Sequence, residues 1–254
     1  MTAPIALQLY SVRDALAQDF TGVARRVADI GYAGVETAGF PGTTARDAAR
    51  LFRKLGLAVP SAHGPLPLGD KKIEVLDTAA ELGCRYLVCP WLDPEKHFKS
   101  IEQIKATCDL LNQASAVARE NGLALAYHNH WAECQQVEGR YAYQVMLDYL
   151  EPEVLFELDV YWARTAGLDP VEVIAELGVR ASLLHIKDGQ AVMGQPMVAV
   201  GQGTLDIPAI VRAGEETTEW LIVELDTCAT DMLQAVEQSY RFLVEKGLGR
   251  GSKD

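Results

Sequence analysis

Residues 123–133 read LALAYHNHWAE, an apolar run that ends abruptly in two histidines, an asparagine and a glutamate. The run reads as the inside of a sheet. Asn121-Gly122, just before it, closes a helical pattern near Lys99 to Glu120, and a second helical pattern, Tyr141 to Leu150, follows. Working outwards, the same unit recurs along the whole chain. IALQLY (5–10), AGVET (33–37), LAVPSA (57–62), RYLVCPW (85–91), VLFELD (154–159), ASLLHI (181–186) and WLIVEL (220–225) each precede a stretch of helical period, which makes eight strand and helix pairs. Ile30-Gly31, Leu55-Gly56, Leu82-Gly83 and Leu177-Gly178 repeat the helix stop, because a left-handed C-cap favours a residue without Cβ. Asp169-Pro170 and Asp206-Ile207-Pro208 supply helix starts.

Eight βα units in 254 residues are the count and size of a closed (β/α)8 TIM barrel, an α/β fold of one domain. A doubly wound open sheet would carry a glycine-rich phosphate turn after its first strand, where this chain has QLYSVRD. The barrel is expected over residues 1–248, with 249–254 as a flexible tail.

Composition narrows the function. A net charge of −12 repels phosphate backbones and argues against a nucleic-acid partner, and no apolar run approaches the ~20 residues of a membrane span. Met1 to Pro4 lead into the first strand without a signal peptide, so a cytoplasmic location is expected. The five cysteines form no CxxC pair and read as reduced packing residues.

In such a barrel, catalytic groups sit at the C-terminal strand ends. The polar residues there are Gln8, Glu36, His63, His128, His130, Glu133, Glu157, Asp159, His185, Lys187, Glu224 and Asp226, which include four of the five histidines. Each has a plainer reading: His63 as a hydrogen-bonded structural residue, Glu157 as the anchor of a cation, Lys187 in an ion pair with Asp188 or Glu157. Convergence weakens these, because several carboxylates in one dry site need a compensating cation. A mixed carboxylate and imidazole set suits Mn²⁺, Co²⁺, Mg²⁺, Fe²⁺ or Zn²⁺. Trp91, Trp131, Tyr161 and Trp162 lie just past strand ends and are expected to form an apolar wall for a sugar ring.

LQLYSVRD (7–14), AYHNHWAE (126–133), ELDVYWARTAG (157–167), LLHIKD (183–188), GQGTLDIP (201–208) and IVELD (222–226), in this order, resemble the sugar isomerase/epimerase superfamily with the xylose-isomerase-like barrel. That group includes tagatose epimerases, hydroxypyruvate isomerases, inosose dehydratases and 3-keto-sugar epimerases. The resemblance implies one divalent metal held by Asp159, His185 and Glu224. The strand-5 ligand is either Glu133, folded back from the following turn, or His128 or His130 in its place. It further implies proton transfer by Glu133 and Glu224, with Lys187 polarising an oxygen or protonating a leaving hydroxyl. Gln8, Glu36, His63, Trp91, His128, His130 and Trp162 are then expected around the substrate. The implied activity is isomerisation or epimerisation of a keto sugar; the alternatives are an inosose-type dehydratase and a non-catalytic sugar-binding barrel. Relatives often pair, so a homo-oligomer is a further expectation. The DNA-repair branch of the superfamily uses a larger ligand cluster and fits an acidic chain poorly.

Overall fold

The structure is a computed structural model that describes residues 2–252. Eight strands form one sheet: β1 (Ile5–Gln8), β2 (Gly34–Glu36), β3 (Ser61–His63), β4 (Tyr86–Cys89), β5 (Ala124–His128), β6 (Leu155–Asp159), β7 (Ala181–Ile186) and β8 (Trp220–Val223). Their order around the sheet is β2-β1-β8-β7-β6-β5-β4-β3, and every ladder is parallel. Single bridges, Gly34 to Ala58 and Thr37 to Ala62, join β2 to β3 and close the circle, with the His63 amide donating to the Thr37 carbonyl at 2.8 Å. The chain therefore folds as a (β/α)8 barrel.

Strand period places the site. Alternate residues face the barrel interior, and Ala6, Tyr86, Val88, Ala126, Leu183 and Ile222 make a separate buried apolar cluster. Two residues further along several of these strands come Gln8, His128, His185 and Glu224, so a polar layer lies directly above the apolar one. The larger core packs between the outer faces of the strands and the helices.

The expected helix punctuation is present. Gly56 and Gly83 end their helices in the left-handed region at φ 74° and 70°. Asp169 and Asp206 cap helices that begin at Pro170 and Ile207, each accepting a backbone N–H. The connections are more divided than the strand count suggests. A two-residue hairpin (Gln136–Val137 with Arg140–Tyr141) sits in the β5 loop, and β6 is followed by two short helices, Val160–Thr165 and Pro170–Leu177. All five cysteines are free and four are buried. No helix among the described residues is long and apolar enough to cross a membrane.

The segment expected as a loose tail is tied down through Ser252. The Ile5 amide donates to the Arg250 carbonyl and the Arg250 amide to Ala3, both at 3.0 Å, while the Ser252 amide reaches Gly31. Gly249 and Gly251 are buried. Backbone pairing beside β1 is available to any sequence that fits beneath the barrel, which is why composition does not reveal it. Lys253 and Asp254 lie outside the described residues.

The long connection after β7 is organised by one side chain. Asp188, fully buried, accepts backbone N–H groups from Gly189 (2.8 Å), Gly201 (2.9 Å), Gly203 (3.0 Å) and Leu205 (3.2 Å). A Cβ on Gly203 would overlap this carboxylate, which accounts for the glycines of GQGTLDIP. Asp188→Ala leaves four donors without their acceptor and is expected to cost about 3 kcal/mol, a fall in Tm of roughly 6–12 °C by differential scanning fluorimetry, with Asp188→Asn in between. An unchanged Tm for the alanine variant would show that the loop is held by other contacts.

Candidate active site

The polar layer is centred on His185. Its Nδ1 lies 2.9 Å from Glu224 Oε2, and its Nε2 lies 2.7 Å from Glu36 Oε1 and 3.0 Å from Glu157 Oε2. The His63 Nε2 joins the same two carboxylates, 2.6 Å from Glu157 Oε2 and 3.1 Å from Glu36 Oε1. Gln8 donates its Nε2–H to Glu36 Oε1 at 2.7 Å. His128 places Nδ1 3.2 Å from Glu157 Oε2 and Nε2 3.9 Å from Asp159 Oδ2. Lys187, with no exposed surface, sets Nζ 2.8 Å from Asp159 Oδ2, 2.6 Å from Glu224 Oε2 and 2.9 Å from Asp226 Oδ2.

Burial opposes every charge in this layer, and the partners decide which survive. Burial works against Glu36, but His63 and His185 outweigh it and hold the carboxyl well below its usual range. Burial likewise opposes His63 and His185, yet the surrounding carboxylates raise both, His63 to about 10. Burial disfavours Glu224 and Lys187 too; Lys187 and His185 nevertheless lower the Glu224 carboxyl, and the three acids raise the ammonium well above its ordinary value. Glu157 and Asp159 go the other way, raised by burial that their partners do not fully offset. His128 and His130 are pushed down by burial and then by neighbouring cations, His130 to about 3, so both are neutral imidazoles at pH 7.

Two of the carboxylates thus remain short of positive charge, and the donors stand where a cation would supply it. Ligand atoms of His128, Asp159, His185 and Glu224 lie within 4.8 Å of one another, one from each of the consecutive strands β5 to β8 or the residue just past its end. Two imidazoles and two carboxylates suit a divalent transition ion. A second grouping, His63, His128, Glu157 and His185, meets the same distance. Its members are already joined through the shared Glu157 oxygen.

At the strand-5 position the four-donor group contains His128 and not Glu133. Glu133 is buried, but its Oε1 accepts a very short hydrogen bond from the Tyr127 hydroxyl and its Oε2 accepts the His130 amide at 2.9 Å. It braces the turn after β5 and belongs to neither ligand group. Burial is the main cause of its raised pKa. Glu133 was expected as a ligand and as an acid/base; the turn after β5 carries its carboxylate towards its own backbone instead. Lys187 does form an ion pair, though with Asp159, Glu224 and Asp226, since Asp188 faces its loop amides and Glu157 faces the histidines.

Above this layer opens a cavity of about 1030 Å³, lined by His63, His128, His130, Trp91, Glu224 and Asp226 among others. Gln8 and Glu36, expected beside a substrate, have no exposed surface and sit beneath it, holding His63 and His185. Of the four aromatic residues expected as a wall, only Trp91 lines the cavity. Tyr161 is buried, and Trp162 packs 5.3 Å from Trp131 and 6.0 Å from His130. Glu157 and Asp226 are more central than their sequence reading allowed. The signal for Glu157 is its place two residues before Asp159 on the same strand face.

Comparison with known proteins agrees with this architecture. The family described as xylose isomerase-like TIM barrel matches residues 24–246. No curated protein sequence matches the chain. Among solved structures, a sugar phosphate isomerase/epimerase from Parabacteroides distasonis superposes with a TM-score of 0.84 at 26% identity, covering 98% of this chain and 96% of that one. An L-ribulose 3-epimerase (0.69, 15% identity, 97% and 94% covered) and the IOLI protein with a bound zinc atom (0.69, 18%, 96% and 98%) share the fold. With eight parallel strands, a polar mouth and a match across most of its length, the chain belongs to the xylose isomerase-like TIM barrel family.

Proposed function

We propose that the chain is a divalent-metal-dependent isomerase or epimerase of a keto sugar, with His128, Asp159, His185 and Glu224 holding one ion. The observation that carries this reading is the convergence of those four donors from successive strands beneath a cavity of about 1030 Å³. The names of the similar structures, two sugar epimerases or isomerases and a zinc-bound protein, support it. A bound divalent ion, zinc or another of the transition series, supplies Lewis acidity that polarises a substrate carbonyl and acidifies the neighbouring C–H.

The proton work falls to the chain itself. Glu224 lines the cavity and is held ionised by Lys187 and His185, both bonded at Oε2. Its Oε1 is left to take the substrate proton. His130 lines the cavity on the β5 side as a neutral imidazole whose Nδ1 is buried without a partner, so its role is to hold a substrate oxygen, and the proton taken by Glu224 Oε1 is returned by the same carboxyl. Lys187 acts as the counter-ion of three acids, with Nζ within 2.9 Å of Asp159, Glu224 and Asp226.

Mass spectrometry of protein incubated with Mn²⁺ or Zn²⁺ and dialysed should find about one equivalent per chain, falling at least tenfold in His128→Ala and His185→Ala. No retained metal would end this reading. Glu224→Gln is expected to abolish solvent-deuterium exchange into keto sugars while keeping the far-ultraviolet circular dichroism of the parent. Glu133 separates the two views of the β5 turn. Glu133→Ala leaves the Tyr127 hydroxyl and the His130 amide without an acceptor and should lower stability by about 2–4 kcal/mol in urea unfolding, whereas Glu133→Gln should keep metal stoichiometry. Loss of metal in the glutamine variant would return Glu133 to the ligand set.

A further inference from the structure

The cavity is chemically divided along the strand order. The β5 and β8 ends contribute His128, His130, Glu224 and Asp226, all polar. The loops after β1, β3 and β4 contribute Tyr10, Pro65, Leu66, Pro90, Trp91 and Leu92, a mostly apolar side whose one ionisable imidazole is His63. Two of these side chains stand open: Trp91 is 51% exposed and Tyr10 43%, unusual for large apolar residues beside a polar centre. The Tyr10 ring is fixed from its outer side by the Arg13 guanidinium, 4.2 Å from the ring centroid. A cavity of about 1030 Å³ is at the top of the range, roughly 300–1,000 Å³, that encloses drug-sized ligands.

We infer that the substrate is a glycoside of a keto sugar, its ketone on a ring carbon other than the anomeric one, whose sugar end meets the β5–β8 side and whose apolar, aromatic aglycone lies against Trp91, Leu66 and Leu92. The assignment of the sugar end rests on the keto-sugar reading above; the aglycone subsite rests on the apolar half of the cavity. An aromatic group stacked on an exposed indole removes both faces from water and gains ring-on-ring contact, whereas a methyl group in its place reaches neither. The apolar and polar residues line the same cavity, so one molecule can meet both.

Calorimetric titration of the metal-incubated protein with matched methyl and 4-nitrophenyl glycosides of glucose, galactose and xylose tests this, with 4-nitrophenol alone as the control. For at least one sugar the aryl glycoside should bind about tenfold tighter than its methyl partner and than free nitrophenol, and Trp91→Ala should bring aryl and methyl affinities together. Equal affinities, no binding across the panel, or nitrophenol binding as tightly as the glycoside would each overturn the subsite. So would sedimentation showing that Trp91→Ala turns a dimer into a monomer, because a second copy of the chain would then cover the wall. A protein that retains no metal yet prefers aryl glycosides would remove the proposed metal chemistry and leave the subsite standing; one equivalent of metal with no aryl preference would do the reverse.

Discussion

His185 is the residue on which the site depends, because its two ring nitrogens join carboxylates that otherwise repel one another. Glu224 lies on one side, Glu36 and Glu157 on the other, all within 3.0 Å of a ring nitrogen and all withdrawn from water. Buried carboxylates at this density persist only where cations or donors meet them. His63 and Gln8 complete the lower side, and Lys187 completes the upper. The lower carboxylates then orient the imidazole, which leaves the Nδ1 side towards Glu224 for whatever the mouth binds.

The barrel makes this crowding possible. An apolar layer of Ala6, Tyr86, Val88, Ala126, Leu183 and Ile222 blocks the interior below, so the polar side chains one strand period higher can be reached only from the mouth. Water is excluded from beneath, and charges at the strand ends act across a low-dielectric gap. The same arrangement accounts for the direction of the shifts: opposite partners outweigh burial at Glu36, His63, His185, Lys187 and Glu224 and fall short of it at Glu157 and Asp159.

Much of this was legible in the sequence because it follows from local rules. Strand period, glycine stops and Asp-Pro starts are fixed within a few residues, and they placed all eight strands. Asp159, His185 and Glu224 were readable for the same reason, since a strand end defines where its side chains point. Glu133 was not. It stands beyond β5 in a turn whose path depends on the hairpin that follows and on a hydroxyl from Tyr127, five residues before Ala132 and on a different face from His128. The aromatic residues were less legible: Tyr161 and Trp162 belong to a short helix capped by Asp159, which buries Tyr161 and sets the Trp162 ring beside His130 and Lys187 rather than on the cavity lining. The tail from Gly249 to Ser252 is held mainly by backbone pairing, which no residue type announces, with Arg250 Nε and Ser252 Oγ adding bonds to the Thr2 and Gly31 carbonyls.

The division of labour around the ring has a structural cause. The β5 to β8 strand ends supply the donor group, and their side chains must be held rigidly, so their loops are spent on support: Glu133 braces the β5 turn, Asp159 caps the helix after β6, and Asp188 gathers the amides of the β7 loop. The segment after β1 also braces the β8 end, through Ser11 and Arg13, but leaves Tyr10 at the cavity, and the loops after β3 and β4 place apolar side chains there. Pro65 and Pro90 stiffen these two loops immediately past the strand, where a fixed φ limits the routes the chain can take. Those loops can therefore hold apolar side chains out over the cavity without collapsing onto the donors. The mouth is therefore polar where the rigidly held strand ends of β5 and β8 reach it and mostly apolar where the β1, β3 and β4 loops do.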